Sequence, residues 1–320
     1  MGVEYLYRKK LTLIAGTAHR ALADSIAKEL GLQLSNTKVS RFSDGEVRVK
    51  VDESIRGHDV FIIQPTCRPI NENLVELLII IDAVSRASAH RIVAVMPYYG
   101  YARQDKKVQP REPISARLVA NLIETAGAGR VIAMDLHSGS AQGFFNIPVD
   151  HLSALKILSR AIEVQGYSPN DSAIISPDVG GVERASAVAS RLGFPLAIIA
   201  KRRPEPNVAE VVEVIGDIEG RNCILFDDMV DTAGSVTVGA EKLMERGAKS
   251  VCVYATHGVL SGEAINRIGK SCIDRVVITD TIPLDEEHSH PKIKVVSTAA
   301  TFAEAIKRCF TDESISSLFK

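Results

Sequence analysis

The sequence predicts an α/β fold built from two tandem copies of one unit, each with a mostly parallel sheet. Short continuous apolar runs alternate with helical patterns, which indicates parallel strands buried on both faces. Segments of the first half also recur, in the same order, in the second half. The matching pairs are 55–63 with 218–226, 89–95 with 248–254, and 130–135 with 275–280. We therefore expect an N-terminal domain at 1–152 and a C-terminal domain at 153–320.

Composition and charge limit the classes of partner that the protein is expected to bind. The chain has 46% hydrophobic and 24% charged residues and a net charge of −1, so neither a nucleic acid nor a membrane partner is expected. The longest apolar run, Leu77 to Ile81, is too short to span a bilayer, and the first ten residues show no secretory signal. Five cysteines without a CxxC pair favour a reduced, cytoplasmic setting.

The segment ILFDDMVDTAGS at residues 224–235 is the clearest candidate site. It begins in a buried strand, continues as a predicted loop and leads into a helix, where Thr232, Ala233, Gly234 and Ser235 form a predicted anion site. Three carboxylates beside that turn would repel a bare phosphate, so the ligand must also bring hydroxyl groups or a divalent cation. They are Asp227, Asp228 and Asp231. A sugar phosphate satisfies both requirements.

The two copies differ in ways that point to further binding loops. At the place of the three acids the first copy has Gln64-Pro65-Thr66, so only the second copy keeps this site. The first copy instead carries extra residues between Pro97 and Arg117, which predicts a binding loop. In the second copy, KRRPEPN at 201–207 puts three cations after a buried strand that we place at 196–200. This pattern predicts a loop that closes over phosphates.

Taken together, the motifs resemble those of a known enzyme family. FDDMVDTAGS looks like the phosphoribosyl-pyrophosphate signature of the phosphoribosyltransferase fold. With FSDGE at 42–46, YARQD at 101–105, DLH at 135–137 and SPDVGG at 176–181, the chain resembles class I ribose-phosphate pyrophosphokinase from end to end. The resemblance implies two phosphoribosyltransferase-like domains. It also implies transfer of the β,γ-diphosphoryl group of ATP to ribose 5-phosphate, for nucleotide biosynthesis.

The resemblance also implies roles for individual residues. ATP would be bound by Phe42, Asp44, Gly45, Glu46, Arg103, Gln104 and Asp105. Ribose 5-phosphate would be bound by Arg203, Asp227, Asp228, Asp231, Thr232, Ala233, Gly234 and Ser235. Asp178, Gly180 and Gly181 would cradle the pyrophosphate, and Lys201 and Arg203 would be catalytic. His137 and Asp178 would hold Mg²⁺, although imidazole is not a preferred ligand of that ion.

In this family the adenine site is shared between subunits, which implies a homo-oligomer, and the family's form is a hexamer. Two features depart from the family pattern. Glu205 stands where arginine is usual, and Gly139 and Ser140 replace a serine and a glutamine after His137. The second change predicts a weak dependence on phosphate, although the C-terminal Ser314, Ser316 and Phe319 are present. Two alternatives stay open, namely a phosphoribosyltransferase and a non-catalytic regulatory homologue.

Overall fold

The structure is a computed structural model that describes residues 9–202 and 211–318. The chain divides into two compact units. The first comprises Met1–Ser153, Thr281–Pro283 and Ala299–Lys320, and the second comprises Ala154–Asp280 and Leu284–Thr298. Both are mixed α/β units with mostly parallel sheets, so the predicted fold class is confirmed. No helix within the described residues is both long enough and apolar enough to cross a membrane.

The first part of the chain forms one parallel sheet and one hairpin. Its elements are β1 (Leu11–Ala15), α1 (Arg20–Glu29), β2 (Thr37–Arg41), β3 (Val47–Val51), β4 (Asp59–Ile63), α2 (Ile70–Arg86), β5 (Arg91–Met96), α3 (Ser115–Ala126), β6 (Arg130–Met134) and β7 (Val149–Leu152). The sheet has the strand order β1-β4-β5-β6-β7 with every pair parallel. Strands β2 and β3 pair antiparallel with each other. Strand β4 is buried along its whole length, as expected for a central parallel strand.

The rest of the chain forms a larger sheet. Its elements are α4 (Leu155–Glu163), β8 (Ser172–Ser176), α5 (Val182–Leu192), β9 (Leu196–Arg202), β10 (Val211–Ile215), β11 (Asn222–Val230), α6 (Gly234–Glu245), β12 (Ser250–Gly258), α7 (Ala264–Lys270), β13 (Arg275–Thr279), β14 (Ile293–Val296) and α8 (Ala299–Thr311). The strand order is β10-β9-β8-β11-β12-β13-β14, and only β10 runs antiparallel to its neighbour. Strand β9 is longer than the predicted 196–200, because Lys201 and Arg202 still pair with β10.

The element order repeats between the two halves. The succession of strand, helix, antiparallel pair and strand in β1–α1–β2–β3–β4 recurs in β8–α5–β9–β10–β11. In each half, three further parallel strands then follow on the same side of the sheet. The repeated order of elements agrees with the sequence matches between the two copies.

The last helix of each copy packs in the unit built mainly by the other copy. Helix α4 follows β7 but belongs to the second unit, where it packs against α5. Helix α8 follows β14 but belongs to the first unit, where it packs against α1. Helices α1 and α5 hold equivalent positions in the two copies. The two copies therefore exchange their last helices, α4 and α8. The domain limits 1–152 and 153–320 stay a prediction.

Candidate active site

The acidic segment lies on a central strand of the second unit. Strand β11 extends to Val230, so Asp227 and Asp228 belong to the strand and the predicted loop is shorter than expected. The correction has a simple cause. Strand β12 continues alongside and pairs Asp227 with Ala255 and Val230 with Gly258. The carboxylates therefore stand at the carboxyl end of a parallel strand, where doubly wound folds hold their ligands.

The turn after this strand has the backbone of an anion-binding loop. Ala233, the residue before α6, has a left-handed φ of 59° and is buried. A non-glycine residue in that region is strained, and such strain is often found at ligand sites. Helix α6 begins at Gly234 and has no side-chain cap, so the N–H groups of its first turn point along the helix axis towards any bound anion.

The segment that follows β12 supports the same turn. The backbone N–H of Ser261 donates to the carbonyl oxygen of Asp231 at 3.1 Å, and the Ser261 hydroxyl donates to the Asp231 carboxylate. Arg267 Nη1 donates to the carbonyl oxygen of Thr232 at 2.8 Å. The sequence reading did not select Arg267, because it lies 35 residues from Thr232 and belongs to no motif. These bonds fix the position of the loop from outside.

A partly buried arginine joins the acid pair. Arg184 Nη1 lies 3.2 Å from Asp227 Oδ1 and 3.3 Å from Asp228 Oδ1. The Asp228 backbone N–H also donates to Asp227 Oδ1 at 2.8 Å. The pKa of Asp227 is raised to about 8, mainly by burial and next by the neighbouring Asp228 carboxyl, while the Asp228 backbone N–H and Arg184 oppose the rise. Arg184 was also missed from the sequence, because its partners are 43 and 44 residues away.

The SPDVGG segment forms a tight turn ahead of α5. Asp178 Oδ1 accepts a hydrogen bond from the Gly181 backbone N–H at 2.8 Å, and the Ser176 hydroxyl donates to the Asp178 carbonyl oxygen at 2.7 Å. A Cβ atom at Gly181 would lie 3.1 Å from Ser176 Oγ, so the turn leaves little space for a side chain there. Asp178 and Gly180 are exposed, in front of the helix N-terminus.

In the first unit, the FSDGE segment is the turn that connects β2 and β3. The Phe42 backbone N–H donates to the Glu46 carbonyl oxygen at 2.8 Å, and Gly45 takes a left-handed φ of 96°. Asp44 Oδ1 accepts from the Glu46 N–H at 3.1 Å. Phe42 is half exposed, with the Arg48 guanidinium 5.7 Å from its ring centroid. The turn thus presents an aromatic face and two acids to solvent.

The predicted YARQD loop lines a cavity of the first unit. Its volume is about 710 Å³, and Tyr101, Ala102, Arg103 and Gln104 contribute to its wall. The loop is anchored to α3, because the Gln104 carbonyl oxygen accepts from the Ala116 N–H at 3.2 Å and the Ser115 hydroxyl donates to Gln104 Oε1 at 2.5 Å. Asp105 is only partly exposed and does not line the cavity.

The other predicted residues are distributed over both units. His137 is an exposed residue of the first unit, just after β6, whereas Asp178 belongs to the second unit. Among the described residues, no group of three or more His, Cys, Asp or Glu side chains forms a metal cluster. The Asp178 carboxylate is a suitable Mg²⁺ ligand, and the imidazole of His137 is less so. The Lys201 backbone pairs with Val212, and Arg203 and Glu205 lie outside the described residues.

In the first copy, side chains fill the place that matches the acid pair. Gln64 follows β4, is fully buried and donates through Nε2 to Glu76 Oε1 at 2.9 Å. Glu76 also accepts from the Thr17 backbone N–H at 2.6 Å and from its hydroxyl at 2.7 Å. A Cβ atom added to Gly16 would lie only 2.2 Å from Gln64 Oε1. This end of the first sheet is therefore closed by its own residues.

The doubly wound units and the signature segment define a protein of the phosphoribosyltransferase fold type. A family profile described as the N-terminal domain of ribose phosphate pyrophosphokinase matches residues 11–127. A second profile, described as the phosphoribosyl synthetase-associated domain, matches residues 181–320.

Individual relatives belong to the same family that the two profiles describe. "Ribose-phosphate pyrophosphokinase 1" of Listeria monocytogenes is 51% identical over 320 residues, which is 100% of both chains. The ribose-phosphate pyrophosphokinase of Caldanaerobacter subterraneus is 53% identical over 313 residues, covering 98% of this chain and 99% of the relative. The crystal structure of phosphoribosylpyrophosphate synthetase from Mycobacterium smegmatis superposes with a TM-score of 0.90 at 45% identity, covering 95% of this chain and 100% of that one.

The chain therefore belongs to the ribose-phosphate pyrophosphokinase family. The predicted family and the predicted enzyme class, a transferase of the kinase type in nucleotide biosynthesis, are confirmed. The residue roles and the domain limits stay predictions.

Proposed function

We propose that this enzyme transfers the β,γ-diphosphoryl group of ATP to the C1 hydroxyl of ribose 5-phosphate, giving phosphoribosyl pyrophosphate and AMP. The observation that carries the proposal is the pair Asp227 and Asp228 next to the uncapped N-terminus of α6. Carboxylates accept hydrogen bonds from vicinal hydroxyls, and the helix end binds a phosphate group. The names of the full-length relatives support the same activity.

Ribose 5-phosphate occupies the second unit. Its 5-phosphate lies on residues 231–235, where the strained Ala233 turns backbone N–H groups towards the anion. Its ring hydroxyls donate to Asp227 and Asp228, and Arg203 contributes a further contact to the sugar phosphate. In this proposal the C1 hydroxyl faces Asp178, Gly180 and Gly181, the proposed pyrophosphate cradle.

ATP is held by elements of the first unit. Phe42 stacks on the adenine, and Asp44 and Glu46 accept hydrogen bonds from the base or the ribose, with Gly45 shaping the turn. Arg103 and Gln104 bind from the YARQD loop, where the guanidinium suits phosphate oxygens. Asp105, which does not line the cavity, is the weaker contact.

Diphosphoryl transfer needs positioning and neutralisation of charge rather than a covalent nucleophile. The β-phosphorus is attacked in line by the C1 hydroxyl, and the N-terminus of α5 faces the transferred group. Lys201 and Arg203 donate to the charge that develops there. Asp178 and, through water, His137 would be the residues that hold Mg²⁺, and the ion bound with ATP would supply further neutralisation of charge.

The assembly we propose is a cytoplasmic homo-oligomer, a hexamer built from dimers. An apolar stripe that begins just before α3 and continues along it supports association, because Ile114, Leu118 and Leu122 are 36%, 57% and 40% exposed at helical spacing. The inferred sharing of the adenine site between subunits requires the oligomer for activity. Light scattering combined with activity measurements tests this point, and a fully active monomer would refute it.

One assay separates the proposed function from the two alternatives. Incubation with ATP, Mg²⁺ and ribose 5-phosphate should release AMP only when the sugar phosphate is present. A phosphoribosyltransferase would instead consume phosphoribosyl pyrophosphate with a base, and a regulatory homologue would release nothing. Absence of AMP from a well-folded, oligomeric sample would contradict the proposal.

A further inference from the structure

Arg184 is placed where helix electrostatics disfavour a cation. It is the third residue of α5, whose first turn carries the positive end of the helix dipole. Its side chain is 26% exposed and reaches β11, where the side chains of Asp227 and Asp228 are 22% and 5% exposed. The unfavourable position on α5 is offset by these two carboxylates, so the arginine belongs to the acid pair rather than to the helix surface.

A single nitrogen of Arg184 serves both acids. Nη1 lies within 3.3 Å of one oxygen of each carboxylate, so one cation fixes the position of both side chains. Two adjacent carboxylates in a buried setting repel each other, so one of them tends to hold a proton. A protonated acid loses an acceptor, and the pair then binds two vicinal hydroxyls less well. One arginine that contacts both acids opposes that protonation and holds the two carboxyl groups together.

We propose that Arg184 is the positioning residue that holds the carboxyl groups of Asp227 and Asp228 side by side as acceptors for the vicinal hydroxyls of the ribose ring. This inference rests on the proposed function. Arg184 acts through the two acids and does not itself contact the sugar. It therefore sets the affinity for the sugar phosphate, while ATP, bound mainly by the first unit, is little affected.

The test compares R184Q, R184K and the matched control R191Q, an exposed arginine in the last turn of the same helix. R184Q should raise KM for ribose 5-phosphate about 10- to 150-fold, the range for loss of a hydrogen bond to a charged group. KM for ATP should stay within about twofold. R184K should recover most of the loss because it restores the cation, and R191Q should match the wild type.

A double variant separates this indirect role from direct contact or plain stabilisation. If Arg184 acts through the acid pair, R184Q/D227N should bind ribose 5-phosphate within about twofold of D227N alone, as measured by calorimetry. This comparison decides the matter even if R184Q alone folds poorly, because D227N removes one of the two acids that repel each other when Arg184 is absent.

Three results would overturn the inference and one would overturn its premise. Independent, multiplicative losses in the double variant would show that Arg184 contacts the substrate directly. Equal rises in KM for both substrates would indicate a structural role only, and an unchanged KM in R184Q would show no role. A wild-type enzyme that forms no AMP from ATP and ribose 5-phosphate would instead remove the proposed function, whatever the variants do.

Discussion

Replacing Gly16 with alanine tests whether the ligand end of the first sheet is closed by rigid side chains. The new Cβ atom would lie 2.2 Å from Gln64 Oε1, 2.5 Å from Gln64 Cδ and 2.9 Å from Glu76 Oε1. Neither side chain can move freely, since both are buried and bonded to each other, while Glu76 also accepts from Thr17 and Gln64 also accepts from the Ala18 N–H. Overpacking costs about 1–3 kcal/mol, and a broken hydrogen bond to a buried charge costs about 1.5–3 kcal/mol more.

The expected loss is therefore about 2.5–6 kcal/mol, or a drop in Tm of at least about 5 °C for the unit concerned. Differential scanning calorimetry of G16A measures it. The matched control is G239A in α6, where, within the part of the chain that the structure describes, the new Cβ atom would meet only the flexible Ile199 Cδ1 at 2.9 Å, and helix propensity favours alanine by about 1 kcal/mol. G239A should stay within about 1 kcal/mol of the wild type. If G16A were as stable as G239A, the hypothesis that Gln64 and Glu76 are held rigidly would be refuted.

Three further predictions concern charge and catalysis. The pKa of Asp227 is raised to about 8 from 3.8, so the stability it contributes is complete below about pH 4 and is lost as pH rises towards 8. Urea unfolding of D227N should lack this decline, and an unchanged pH profile would count against a perturbed Asp227. K201A should lose kcat by about 10²–10³-fold with normal folding, as for a lost transition-state donor, whereas near-normal turnover would show Lys201 to be a surface residue. Activity should depend weakly on inorganic phosphate, because Gly139 offers no side chain, the Ser140 and Ser138 hydroxyls bond each other at 2.6 Å, and the Gln142 amide already donates to the Gly139 carbonyl oxygen at 3.0 Å. Initial rates at constant ionic strength test this, and a steep absolute requirement would contradict it.

The features that could be predicted from the sequence are those encoded in short segments. Apolar runs and the paired segments revealed the parallel sheets and the duplication, since buried strands need continuous apolar residues. The anion-binding turn was visible for the same reason, because its residues are consecutive. The predicted length of β11 was wrong. Asp227 and Asp228 are acidic and therefore look like loop residues in the sequence, but pairing with β12 keeps the chain extended there.

Features that depend on distant partners could not be predicted. Arg184 reaches acids more than 40 residues away, and Arg267 supports a turn 35 residues away, so no local pattern marks either side chain. Likewise, Gln64 and Glu76 close the first copy through a contact between β4 and α2 that spacing alone does not reveal. Tertiary contact, rather than propensity, decides these features.

The exchange of α4 and α8 makes the two copies interdependent. A polypeptide cut after α4, at residue 166, would yield two fragments, each with one copy's sheet but without the helix that packs on its own first helix. Such fragments should fold only when mixed, each completing the other. The arrangement is the single-chain equivalent of a domain-swapped dimer. A single-copy ancestor of this fold is therefore expected to have been a dimer before its gene was duplicated and fused. In that dimer the two chains would already have exchanged their last helices.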